Sequence, residues 1–135
     1  MPRTHRFIMT GEEKTEHLPG KTHIYHSEPG VTETDDLLVI RAIFAPGGGH
    51  PFHYHPNKEE VLYFLSGTAE QWVGKERRVM TPGCSVHIPP DLVHATFNRG
   101  TEPVEVLAII TPLTAEGPVA IEVADQEPWK SLMGS

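Results

Sequence analysis

Apolar, β-branched and aromatic positions along this chain fall in short runs separated by turn residues. The runs are Leu37–Phe44, Val61–Leu65, Gln71–Val73, Ser85–Ile88, Ala95–Phe97 and Val104–Ile110. Between them lie Pro46–Gly49, Ser66–Gly67, Gly74–Lys75, Thr81–Gly83, Pro89–Asp91 and Asn98–Thr101, all rich in residues that reverse the chain. Short strands punctuated this often predict an all-β domain, a sandwich or barrel of antiparallel sheets. No window shows a convincing 3.6-residue period, so little helix is expected. Leu37–Phe44 and Val104–Ile110 are apolar on both parities, as strands covered on both faces are. A barrel interior covers one face; a second copy of the chain, making a homodimer, or the terminal segments cover the other.

The flanks read differently. Residues 1–35 are polar and carry His5, His17, His23 and His26, which have no ligand spacing to one another and are expected to be solvated. Thr22–His26 is a candidate edge strand within an N-terminal arm. The segment 113–135 mixes Pro, acids and Trp129, and reads as an extended C-terminal arm.

Composition narrows the class. The chain has 135 residues and a formal charge of −7, which disfavours nucleic-acid backbones and anionic membranes as partners. No apolar stretch is long enough to span a bilayer, because Arg41 interrupts the longest, and no apolar segment follows the basic N-terminus. A soluble, cytoplasmic protein is the expectation. The 12 glycines and 13 prolines agree with many turns. One cysteine, Cys84, excludes an internal disulfide and a thiolate zinc cage; it has no base or partner thiol nearby to make it a nucleophile. Nine histidines are an excess that points to metal chemistry.

The histidines concentrate in the segment from Gly47 to Glu60. Gly47–Gly49 lacks the Lys-Ser/Thr of a phosphate loop and reads as a turn. Residues two apart on a strand share a face, so His53 and His55 point together. After Pro56–Lys58 the chain can reverse, and Glu60 opens the next strand as an oxygen donor, with Glu59 as its competitor. His94 follows the rigid Pro89-Pro90 corner. Three imidazoles and a carboxylate suit Fe, Mn, Ni, Co, Cu or Zn, and are a poor match to Ca or Mg. Such a set leaves coordination positions open, as a catalytic metal needs. On strict alternation His50 falls on the opposite parity from His53 and belongs at the rim or surface. His87 reads as an ordinary surface histidine. Arg41 is either an outward charge or an anchor for a substrate carboxylate. Trp72, Tyr54 and Tyr63 are expected to pack or to face a partner copy. Thr96 and Asn98 share the parity of His94 and can line a cavity, although Asn98 can equally fix a turn.

These residues carry a resemblance to the cupin superfamily. The first cupin motif, G-x5-H-x-H-x4-E-x6-G, is met by Gly47, His53, His55, Glu60 and Gly67. The second, G-x5-P-x-G-x2-H-x3-N, is met by Gly83, Pro89, His94 and Asn98, with Asp91 in place of its second glycine. Asp tolerates left-handed backbone, so the corner is expected to survive. The resemblance implies a double-stranded β-helix, or jelly-roll barrel, over residues 36–112. It implies one divalent transition metal per chain, Fe, Mn or Ni favoured, held by His53, His55, Glu60 and His94. Spacing to Gly67 selects Glu60 over Glu59 and turns Leu62 and Phe64 toward the site. The fold hosts many activities. The leading expectation is a dioxygenase-like oxidoreductase acting on a small organic molecule, with Glu60 also serving as a base and with Arg41, Phe64 and Thr96 contacting substrate. The alternatives are a non-catalytic ligand-binding or sensor cupin and a metal-dependent isomerase or lyase.

Overall fold

The structure is a computed structural model and describes residues 6–134; His5, one of the N-terminal histidines, lies outside them. Among the described residues, eleven strands form two antiparallel sheets, and the one short helix, α1, is Trp129–Leu132. The larger sheet takes the order β1-β2-β3-β10-β5-β8, from Lys14–Leu18, Lys21–Ser27, Leu38–Phe44, Val104–Thr111, Glu59–Ser66 and Ser85–Ile88. The smaller takes the order β11-β4-β9-β6-β7, from Ile121–Glu122, Gly49–Tyr54, His94–Phe97, Ala69–Val73 and Glu76–Met80. This is the all-β double-stranded β-helix that the motifs imply. No helix among the described residues is long and apolar enough to cross a membrane.

Alternation explains the larger sheet. On β3, Leu38, Ile40, Ala42 and Phe44 are buried and the odd-numbered residues between them are not. β10 pairs on both sides, with β3 and β5, and places Val104, Val106 and Ile110 in the same core. Leu62 and Phe64 complete it from β5. Each such side chain, fully buried, contributes roughly 1.5–3 kcal/mol relative to exposure. A tight approach joins the ends of β5 and β10: a Cβ at Gly67, which has φ +79°, would stand 2.3 Å from the Pro103 carbonyl oxygen.

The flanks are more ordered than arms. Lys14–Leu18 and Lys21–Ser27 form a hairpin that extends the large sheet, and β2 pairs with both β1 and β3. The edge therefore belongs to β1, whereas the pattern had placed it at Thr22–His26. At the other end, Val123, Trp129, Leu132 and Met133 pack on Phe52, Trp72, Ala95 and Phe97, making a second core on the outer face of the small sheet. Tyr54 and Trp72 are packing residues of that cluster, while Tyr63 is exposed.

Candidate metal centre

β4, β5 and β9 bring the candidate ligands together. His53, His55, Glu60 and His94 are all buried, and their ligand atoms lie within 4.8 Å of one another. His53 and His94 face each other across the β4–β9 ladder, with ring centroids 4.2 Å apart. Glu60 Oε1 sits 3.2 Å from His55 Nε2 and 3.0 Å from His94 Nε2.

Backbone carbonyls set the chemistry of the three rings. Nδ1 of His53 donates to Pro51 O, that of His55 to Val119 O and that of His94 to Leu92 O, at 2.6, 2.6 and 2.9 Å. A carbonyl only accepts, so each Nδ1 carries the proton and each Nε2 presents a lone pair. Three lone pairs and a carboxylate then converge with no proton among them. His94 Nε2 is buried without a hydrogen-bonding partner, since its approach to Glu60 lacks the geometry of a hydrogen bond. Such an arrangement is costly unless a cation, or an added proton, occupies its centre. The residues fit a divalent transition metal, which when bound supplies Lewis-acid or redox chemistry at its open positions.

Titration follows the same logic. Burial pushes the Glu60 carboxyl up, but the adjoining His55 and His94 imidazoles outweigh it and hold the group down at about 2. Glu60 is thus ionised at neutral pH, the form a metal requires. For His55, burial works downward, yet the adjoining Glu60 carboxylate raises it above the usual imidazole value. Burial, followed by the neighbouring His50, His94 and His55, keeps His53 well below it.

A cavity of about 400 Å³ opens beside the four ligands. Thr96 lines it, with its hydroxyl donated to Gln71. Arg41 does not line it: the residue sits on the outward face of β3 and pairs with Glu105 and Glu13. Phe64 is in the apolar core and likewise outside the cavity lining. Asn98 fixes a turn, donating to Phe44 O and Glu102 O and accepting from Gly100 N. Glu59 is exposed and pairs with exposed His87, away from the centre. Cys84 is free and half-buried beside Thr81.

His50 departs from the parity argument. In register, His50 faces Thr96 and His53 faces His94, so β4 spends three residues where β9 spends two. This bulge, at Pro51, swings His50 onto the cavity side, where it stacks on His53 at 3.4 Å and 6°. Its Nε2 lies 2.9 Å from Glu122 Oε2 on β11. Proline within a strand run is the sequence signal for such a bulge. His23, expected to be solvated, also lines the cavity, together with Tyr25 and Glu16 of the N-terminal hairpin.

Comparison with known proteins agrees with this geometry. A family model for the cupin domain matches residues 40–110, more than half of the chain. The chain belongs to the cupin family. Among curated proteins, this cupin is 36% identical over 89 residues to germin-like protein 1-1 of Oryza sativa subsp. japonica, covering 61% of this chain and 40% of that one. It therefore spans less than half the length of that relative. An RmlC-like cupin from Shewanella frigidimarina superposes with TM-score 0.71 at 18% identity, covering 83% of this chain and 95% of that chain. A predicted oxalate decarboxylase from Thermotoga maritima gives 0.70 at 19%, covering 79% and 99%. At such identities these structures share the fold alone.

Proposed function

We propose that this cupin is a metal-dependent enzyme, dioxygenase-like, that acts on a small organic molecule at a 3-His/1-Glu centre in the cytoplasm. The observation that supports it is the convergence of three Nε2 lone pairs on an ionised carboxylate at the wall of a cavity. A purely structural metal would be closed off; here the cavity meets the ligand set and leaves room for a second molecule. His53, His55, Glu60 and His94 hold the ion. Thr96 contacts the substrate. A base role for Glu60 requires it to leave His55 and His94, since those two imidazoles keep its affinity for protons low.

Elemental analysis of protein purified without added metal tests the reading. One divalent ion per chain is expected, and His53→Ala and His94→Ala each lose it. Full occupancy in either variant removes that residue from the ligand set. Activity that disappears with a chelator and returns with Fe, Mn or Ni while oxygen is consumed supports the dioxygenase. Restoration by Zn without oxygen uptake points instead to an isomerase or lyase, and tight ligand binding without turnover to a sensor.

We further propose that the chain works as a homodimer through the outer face of its large sheet, which carries Val39, Ile43, Val61, Tyr63, Leu107 and Ile109.

A further inference from the structure

The cavity has two unlike regions. Its floor is apolar, built from Leu38, Ile40 and Ala42 on β3, Leu62 on β5, and Val106 and Ile110 on β10. The N-terminal hairpin adds Glu16, Leu18, His23 and Tyr25 to its lining. Strand pairing explains how: Glu16 faces His23, which faces Ala42, and Tyr25 faces Ile40, so all continue the inward face of β3. The hairpin thus extends the inner wall and carries polar groups to its border.

The charges on that border have one sign. Glu16 and Glu28 line the cavity, and no Lys or Arg among the described residues does. Glu28 is neutralised by Lys14, which also lies over the Tyr25 ring. Glu16 has no such partner among the described residues. It accepts from Tyr25 Oη at 3.0 Å and lies 3.9 Å from His23 Nδ1. Burial, then Lys21, lowers the affinity of His23 for a proton, and the ring stays neutral at physiological pH. Lys21 itself stands outside the cavity lining. The Glu16 carboxylate is about half exposed, available to a ligand entering from solvent. An anionic tail would meet this uncompensated charge and an acidic protein; a cationic tail would be drawn in.

We propose that the ligand of this cavity is a small amine: a metal-binding oxygen or nitrogen at one end, an apolar body against β3, β5 and β10, and an ammonium group received by Glu16. The metal-binding end rests on the metal reading above; the ammonium end rests on the wall alone.

Three hydroxamates with one chelating head and one alkyl chain separate the possibilities. They are 6-aminohexanohydroxamate, hexanohydroxamate and adipic monohydroxamate, ending in ammonium, methyl and carboxylate. Each is titrated calorimetrically into nickel-loaded protein whose metal content is measured in the same sample. The ammonium compound is expected to bind about fivefold tighter than the methyl one and about twentyfold tighter than the carboxylate, the scale of one partly exposed charge pair. Glu16→Gln removes the preference for ammonium over methyl and leaves the methyl compound unchanged. Glu13→Gln, which loses the same charge on the outer face, keeps the wild-type order. Equal binding of the three, preference for the carboxylate, or an unchanged order in Glu16→Gln overturns the proposal while the metal reading stands. The expected order in protein that holds no nickel overturns the metal reading and leaves the amine. Absence of both nickel and order overturns both.

Discussion

At the scale of single residues, side-chain chemistry was easier to read than direction. His53, His55, Glu60 and His94 could be named because their types and spacing state their chemistry, and the structure buries all four around one point. His50 could not be placed, because parity counting assumes an unbroken ladder and Pro51 breaks it. Asp91 shows the reverse case, where a departure from the family pattern is absorbed. Its φ is +68°, the left-handed region that the motif's glycine would occupy, and its Oδ1 accepts from the backbone N–H of Asn57, itself at φ +58°. The carboxylate thus offsets part of the strain that its Cβ introduces. Asp91→Gly should change stability by less than about 1 kcal/mol, exchanging one hydrogen bond for relief of strain. Asp91→Ala keeps the strain and loses the bond, and should cost about 1–3 kcal/mol in urea denaturation. Equal costs for the two variants would show that the left-handed backbone is not what the site requires.

Elements were legible where one face is apolar. β3, β5 and β10 announce themselves through alternating or continuous hydrophobic residues, whereas β1 (Lys-Thr-Glu-His-Leu) and β7 (Glu-Arg-Arg-Val-Met) do not. β1 joins by backbone pairing at an edge, with almost no apolar burial to mark it. The stretch 115–118 of the C-terminal segment was harder still, because a lysine far away in sequence holds its carbonyls. Lys58 is 1% exposed, and its three N–H groups are shared among Pro56 O, Ala115 O, Gly117 O and Pro118 O, which lie 2.9–3.3 Å from Nζ. Asn57 holds Glu116 O beside it, and the next residues deliver Val119 O to His55 Nδ1. The ammonium thus anchors the strap that orients one metal ligand. Replacing it by Met leaves four carbonyls without their donor, and a cost of about 2–4 kcal/mol is expected. In Lys58→Met, amide exchange should quicken over 115–122 and metal affinity should fall, while the β3–β10–β5 amides keep their protection. Uniform loss of protection across both sheets would assign Lys58 to general stability and not to the strap.

For the molecule as a whole, each sheet has an outer face, and the two strands that are apolar on both parities, β3 and β10, both lie in the large one. The C-terminal segment covers one, since Val123, Trp129 and Leu132 pack over Phe52, Ala95 and Phe97 on the small sheet. The large sheet has no equivalent cover among the described residues. Across its centre, Val39, Ile109 and Val61 stand in one row, and Arg41, Leu107 and Tyr63 in the next. Tyr63 and Leu65 are 43% and 39% exposed, and the ion pairs of Arg41 with Glu105 and Glu13 lie among these apolar side chains. An apolar centre with interspersed, already neutralised charges has the composition of an interface core and polar rim. A twofold arrangement would set this patch against itself, β-sheet face on β-sheet face. Sedimentation equilibrium should therefore give twice the chain mass at micromolar concentration. Leu107→Arg places a fixed charge at the centre of the patch, where its partner copy would bring another, and should yield a monomer with unchanged circular dichroism. A wild-type chain that sediments as a monomer at all concentrations would mean that water itself meets this face.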